Sequence, residues 1–408
     1  LRYLLVTQYF WPENFVINDL ARELLAQGHE VTVLTGKPNY PSGSVEPGYR
    51  AMGWQHEQLF DGVDVFRVPI VPRGGGGALR LFGNYMGFAI SAALSLPVQL
   101  RGRRFDGVLV FAPSPITAVI PGIVARLIKR APLALWVQDL WPESLSATGF
   151  VSNRLALWLV ARMVSVLYAA CDVLLLQSPA FESSVRRHAP TARTLEYPNP
   201  VPSHYWSKDD NAQLPAHVES ALAAGPCVLF AGNLGAAQAL ETLLDAADCL
   251  ANGSDVRLLI AGSGSRHAWL QAEVERRRLS NIILLGQLPS ASMPALYARC
   301  LALLVTLRDE EIFAYTIPSK VQVYLAAGRP VIASVPGVAA RLIEDIGAGF
   351  SCAPEDGAAL ARRIVEIGEL PDSAREAMGQ AGHVYAREHF EIGQLAERLT
   401  NIFKRLRG

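Results

Sequence analysis

The first turn of a helix can hold a phosphate, because its N–H groups are unpaired and its dipole presents a positive end. The stretch IPSKVQVYLAAGRPVIAS, residues 317–334, sets Lys320 in that position. Pro318 can lead the helix without losing a hydrogen bond, and Gly328 can close it in a left-handed conformation. An apolar strand follows Pro330. A Pro-led helix feeding a buried strand is also ordinary scaffold, so a phosphate site needs further groups.

Glycine-rich turns supply them. Gly232, Asn233 and Gly235 follow the apolar run CVLFA, and Gly262 and Gly264 follow RLLIA. Glycine permits close backbone approach and lets N–H groups converge on an anion. Arg308, just past LALLV, can serve a phosphate or pair with Asp309, Glu310 and Glu311; those two glutamates can also accept hydrogen bonds from sugar hydroxyls. Other chemistries lack their residues. There is no GxxxxGK[ST], no GxGxxG after the first strand, no GxSxG and no HExxH. Nucleotide-triphosphate hydrolysis, simple NAD binding, serine hydrolysis and metal catalysis are therefore disfavoured, and no metal is required.

The first half offers acids. Glu13 and Asn14 follow the strand YLLVTQY, while Asp139, Trp141 and Glu143 lie in VQDLWPES after LALWV. Both loops leave strands on one sheet edge. Burial before Trp141-Pro142 can raise the pKa of Asp139 toward that of a useful base; an Asx turn or helix cap is the alternative. His29, on the opposite edge, reads as structural. Trp11, Trp54, Trp141, Tyr40 and Tyr49 can stack on a sugar or pack in a core.

Strand and helix alternate in both halves, which predicts two doubly wound α/β domains. The first half gives strands at Val63–Val68, Gly107–Phe111, Leu133–Val137 and Val173–Gln177, with helices near 85–99, 115–129 and 153–169. The second half resumes after a proline-rich boundary at 197–215, with helices at 239–251, 267–279, 293–298 and 318–327. Helices over 357–368, 372–387 and 391–406 follow. The expected division is 1–205, 206–385, and a terminal helix in 386–408 that packs back on the first domain. The 408 residues carry 37 Lys and Arg against 37 Asp and Glu, with a basic excess in the first half. A broad nucleic-acid surface is disfavoured, and an anionic partner for the first half stays open.

Five scattered cysteines fit a reducing compartment. Tyr3–Val6 reads as a first strand, not a leader, and the four glycines at 74–77 read as a mobile loop or a linker. Residues 81–100 are uncharged. They read as a buried helix or as an interfacial one, with Arg101, Arg103 and Arg104 beside it for solvent or for anionic headgroups.

The motifs QYFWPEN, GHEVTVLTGKPNYP, VQDLWPES, LFAGNLGAAQ, IAGSG and PSKVQVYLAAGRPV occur in this order along the chain. Together they resemble the retaining GT-B glycosyltransferases of family GT4, over essentially the full length. The likeness is strongest to the bacterial L-fucosamine and colanic-acid polysaccharide transferases. It implies two Rossmann-like domains facing across a cleft, with C-terminal helices. The second domain would bind a UDP-sugar donor and the first an acceptor. Asp139 would lie near the anomeric carbon, Gly232, Asn233 and Gly264 near the diphosphate or sugar, and Lys320 at the phosphates. Gly235, Gly262 and Arg308 would complete the donor site. Acceptors in this group are sugars on undecaprenyl diphosphate, which implies peripheral contact with the inner membrane at its cytoplasmic face through residues 81–104.

The chain also departs from that pattern. Glu13-Asn14 stands where many relatives have a glycine pair, so these residues, with Trp141 and Glu143, are expected to meet acceptor or sugar. Asn233 and Gln238 replace a common Arg and Lys. Tyr315 and Val323 occupy the places of an E-x7-E pair whose second glutamate usually holds the ribose; Gln322 is a candidate substitute. A GT-B-like epimerase or hydrolase, and a non-catalytic sugar-nucleotide-binding component, are the competing readings.

Overall fold

The computed structural model describes residues 1–75, 77–147, 153–206, 213–251 and 253–408. Gly76 of the four-glycine run and most of the polar boundary stretch lie outside the described residues. The chain divides into two compact units, Leu1–Asn199 with Ile392–Gly408, and Pro200–Glu391. The observed division differs from the expected positions 205 and 385 because both flanking segments pack into the second unit. Val201 donates its N–H to Phe390 O at 2.9 Å, and Tyr205 and Trp206 lie against that unit's core.

The first unit is built on an eight-stranded sheet. In chain order its strands are β1 (Arg2–Thr7), β2 (Glu30–Thr35), β3 (Gln55–Leu59), β4 (Val63–Arg67), β5 (Gly107–Ala112), β6 (Leu133–Val137), β7 (Val173–Leu176) and β8 (Thr194–Glu196). They lie in the order β3-β4-β2-β1-β5-β6-β7-β8, and among the described residues only the β3–β4 pair is antiparallel. The polar sequence QHEQL hides β3 from a reading based on apolar runs; as an edge strand it has no second neighbour to demand them.

Right-handed crossovers place the helices. The step from β1 to β2 puts helix Val16–Ala26 on one face, where the terminal helix Ile392–Arg407 also packs. Steps in the other direction put helices Ala78–Gln99, Val119–Lys129 and Arg154–Ala169 on the opposite face. Gly122 shows how closely they pack: a Cβ there would stand 2.3 Å from Val110 Cγ2. Helix 78–99 starts two turns earlier than expected, through Gly83 and the fully buried Asn84. Asn84 is held by Gln8 at 2.6 Å and by Val71 O at 2.6 Å, and hydrogen bonding satisfies a group that periodicity alone would have kept out of a core.

Among its described residues the second unit has six parallel strands: β9 (Cys227–Ala231), β10 (Arg257–Ala261), β11 (Ile282–Gly286), β12 (Ala302–Thr306), β13 (Val331–Ser334) and β14 (Gly349–Cys352). Their order is β11-β10-β9-β12-β13-β14, so the direction of winding reverses between β9 and β12. The strand exits beside that reversal are where an open α/β sheet binds ligands.

Candidate functional site

At this reversal two glycine turns interlock. Gly232 donates to Ala261 O at 2.9 Å, Leu234 to Ser263 O at 2.8 Å, and Arg266 to Leu234 O at 2.9 Å. Side chains are excluded by contact. A Cβ on Gly262, whose φ is +143°, would stand 1.8 Å from Gly232 O, and one on Gly264 would stand 2.5 Å from Leu234 O. Gly235 leaves room for the Asn233 amide, which a Cβ would meet at 2.7 Å.

Helix Ser319–Ala326 begins after Pro318 and closes before Gly328, whose φ is +67°. It points its first turn at these loops. Lys320 runs beside Gly232, where a Cβ would meet its Cε at 2.7 Å. Its ammonium stands 3.8 Å from the centre of the Phe230 ring and donates to Gln238 Oε1. Burial pushes its pKa down to about 7. Tyr324 fixes the strand end by accepting from Ala231 N at 3.0 Å. The resulting cavity, about 460 Å³, is lined by Gly232, Asn233, Gly262, Gln287, Lys320 and Val323 among others. The N–H groups of Gly232 and Gly262 are bonded to Ala261 O and Gly286 O, so its wall offers the first-turn N–H groups of helix 319–326 and one amine, which suits a diphosphate joined to a less polar group.

The acids of the first unit meet a different environment. Asp139 is largely enclosed, accepts from Trp141 Nε1 at 3.2 Å, and has its pKa raised chiefly by burial. Tyr85 feels both Asp139 and Arg73. Arg73 in turn donates to Tyr9 Oη at 3.2 Å and lies 5.1 Å from the Tyr40 ring centre. One strand-exit edge thus carries an enclosed carboxylate, a cation and aromatic rings.

Two families of known proteins match this chain: a glycosyl transferase 4-like domain over residues 14–200, and glycosyl transferases group 1 over residues 225–369. The chain is a glycosyltransferase of the GT4 superfamily. Among similar proteins is WbjE of Pseudomonas aeruginosa, named a probable glycosyltransferase. It is 28% identical over 286 residues, 68% of this chain and 69% of WbjE. Another is WcaI of Escherichia coli K12, a glycosyl transferase provisionally assigned to colanic acid biosynthesis. It is 25% identical over 291 residues, with the same two coverages. The crystal structure of Anabaena Alr3699/HepE in complex with UDP aligns over 99% of this chain and 100% of that one, with a TM-score of 0.67. At 15% identity that likeness is one of fold, and the fold is GT-B.

Several residues expected to bind ligands serve the glycosyltransferase's own framework instead. Glu13 is 4% exposed and accepts from the backbone N–H groups of Asn39 and Tyr40, each at 2.8 Å, and of Phe10 at 3.2 Å. It fills a nest of backbone donors and ties two loops together, which is the environment of a framework residue and not of a side chain open to an acceptor. Asn14 beside it is exposed. Glu143 is held by Ser184 at 2.6 Å and Arg187 at 2.8 Å, which anchors its loop to helix Phe181–His188. Trp141 is buried against Asp139.

In the second unit, Arg308 donates through Nε to Ala236 O at 2.7 Å and stands 3.6 Å from Glu241. It braces the GNLG turn from outside the cavity. Gln322 is buried and is not part of the cavity wall, so it does not replace a ribose-binding glutamate there; Val323 is the residue that faces the cavity. Arg103 pairs with Asp64 at 2.6 Å and lies over Phe66, unlike the exposed Arg101 and Arg104. His29 accepts or donates at Thr400 at 3.0 Å, within the framework.

The sequence reading missed Gln287, Arg73 and Tyr85. Gln287 carried a usable signal, since it follows the apolar strand IILLG at a strand exit. Arg73 and Tyr85 carried none, because their meeting depends on the fold of separate segments. Among the described residues no group of three or more His, Cys, Asp or Glu side chains is placed to hold a metal ion.

Proposed function

We propose that this glycosyltransferase moves a sugar, of the N-acetylated amino or deoxy class, from a UDP-sugar to a sugar carried on undecaprenyl diphosphate. The reaction retains anomeric configuration and belongs to cell-surface polysaccharide assembly at the cytoplasmic face of the inner membrane. The observation that carries the donor reading is the cavity walled by the interlocked GNLG and GSG turns with Lys320 at its edge. UDP as the nucleotide is supported by the fold shared with a UDP-bound relative, and the polysaccharide context by WbjE and WcaI.

In this reading the glycine turns and the head of helix 319–326 bind the diphosphate, and Lys320 regains its proton as the phosphates arrive. The bond between the anomeric carbon and the β-phosphate oxygen breaks while the acceptor hydroxyl attacks the same face. The departing phosphate takes the acceptor proton, so UDP leaves as a stable anion and the new glycosidic bond forms. Asp139 orients the acceptor hydroxyl or balances positive charge at the reacting carbon, and Arg73 supplies a cation for the acceptor's diphosphate.

The test is a binding screen of UDP-, GDP- and dTDP-sugars, followed by transfer from the best binder to a polyprenyl-diphosphate-linked sugar. Preference for a UDP-sugar and an α- or β-linkage matching the donor's supports the reading. Preference for another base, or inversion, overturns it.

A further inference from the structure

We infer that the face of the first unit formed by helices 78–99, 119–129 and 154–169 docks on an anionic lipid bilayer. The solvated side of a surface helix is normally charged or polar. Here it is apolar. Helix 78–99 exposes Phe82, Ile90, Leu94 and Val98, spaced by multiples of four so that they form one stripe; Leu94 is 73% exposed. Helix 119–129 exposes Leu127 at 67% and Ile128. Helix 154–169 exposes Leu155, Trp158, Leu159 and Val166. All three helices lie on one side of the sheet, and helices 78–99 and 119–129 pack directly on each other, so this side exposes far more apolar surface than the scattered apolar residues of an ordinary surface. The opposite side behaves differently: helix 392–407 presents Glu397 and Arg398 to solvent.

Charge identifies the occupant. None of the three helices contains Asp or Glu. Arg154 and Arg162 are exposed on the face, and Arg101, Arg104 and Arg130 are exposed at its end, where Lys129 binds Leu100 O at 2.5 Å and joins the two chain turns. None of these five arginines has an ion pair with a described residue. A second copy of this face would bring like charges together, whereas an anionic bilayer neutralises them and covers the apolar stripes. Trp158, with Arg162 5.9 Å from its ring centre, has the amphipathic form suited to the headgroup layer.

Helix 78–99 is long and apolar enough to span a bilayer, yet only 33% of its apolar window is buried, and that part fixes it to the sheet. Phe88, Ala89, Ala92 and Leu96 are fully buried, and Asn84 is bonded to Gln8. The helix therefore lies on the membrane and does not cross it. This inference stands on the surface of the first unit and holds whether or not the donor is a UDP-sugar.

The test is co-sedimentation of the full chain with vesicles of phosphatidylethanolamine and phosphatidylglycerol, with phosphatidylcholine vesicles as the neutral comparison. Binding to the anionic vesicles is expected. The double variant Leu94→Glu/Trp158→Glu should lower partition at least about tenfold, and Arg101→Glu/Arg104→Glu should weaken it and flatten its salt dependence. Glu397→Lys on the opposite face should bind as the parent does. Because Leu94 and Trp158 are more than half exposed, unchanged thermal midpoints and UDP binding should accompany the loss. Absence of binding at low salt, face variants that bind like the parent, or a dimer that the double variant dissociates without any vesicle binding would each overturn the inference.

Discussion

The Lys320 ammonium stands 3.8 Å from the centre of the Phe230 ring, and no described carboxylate pairs with it. A ring face attracts a cation, but far less than water or an anion does. The free protein therefore holds this lysine with a pKa near 7, poised to take up a proton when a diphosphate supplies the missing charge.

That poise makes UDP affinity pH-dependent. Above pH 7 the nucleotide is fully ionised, while the free protein increasingly lacks the Lys320 proton. The UDP dissociation constant should rise by up to about tenfold per pH unit between pH 7.5 and 9, whereas that of uridine stays flat. Titration calorimetry of Lys320→Met should show weaker UDP binding, by about 10- to 100-fold near pH 7, and no such slope. Stability moves the other way. The unfolded chain keeps the proton up to about pH 10.5 and the folded chain loses it near 7, so this group's contribution to stability rises with pH across that window. The Met variant should accordingly be more stable than the parent at pH 7, with the gap closing toward pH 10.

Glu13 gives a test with the opposite sign. Burial lifts its carboxyl to about 7 even though three backbone N–H groups bond to it. Between the unfolded value of 4.5 and about 7 the folded chain binds a proton that the unfolded chain has released, so stability contributed here falls as pH rises through that range. Glu13→Gln should abolish this slope in thermal unfolding followed from pH 5 to 7.5. At pH 8 the variant should be the more stable of the two, because it removes the buried charge, with the gain reduced because its amide NH₂ cannot accept from Phe10 N–H. UDP binding should not change. A raised acceptor KM with an unaltered stability profile would instead return Glu13 to the acceptor site.

These two residues mark what a sequence makes legible. Lys320 announced itself through local signals: a proline before the helix, a glycine after it, and glycine turns at other strand exits whose spacing any doubly wound sheet would superpose. The ends of β6 and of helix 293–298 followed from apolar runs in the same way. Glu13, Glu143 and Arg308 looked equally suited to ligands, yet backbone or side-chain groups from other segments claim them. No spacing rule reports where distant N–H groups converge. Gln322 and Val323 differ by one helical step of about 100°, and only packing decides which of them faces the cavity.

Asp139 separates chemistry from framework in the first unit. An asparagine is the same size and can still accept from Trp141 Nε1, so Asp139→Asn should fold with a thermal midpoint within a few degrees of the parent. Loss of the negative charge should lower transfer at least about 100-fold, a magnitude typical of a group acting on the reacting atoms. UDP binding, measured separately on the second unit's site, should stay within about twofold. Transfer close to the parental rate would reduce Asp139 to the anchor of its own loop.

Val323 tests how the donor pocket reads a ribose. It lines the cavity as an apolar residue, at the place where the family resemblance leads one to expect a glutamate that accepts from ribose hydroxyls. Val323→Glu should therefore increase discrimination between UDP and 2′-deoxy-UDP, by about tenfold for one hydrogen bond to a charged acceptor. The absolute affinity is a poor readout, because the new carboxylate can pair with Lys320 in the empty pocket and so oppose binding of any nucleotide. The ratio is free of that effect: both nucleotides displace the same pairing, and it cancels. Competition binding of the two nucleotides to the parent and the variant thus isolates the ribose contact. An unchanged ratio would mean that the ribose of the bound donor lies away from residue 323, and that the parental chain recognises it through another part of the cavity wall.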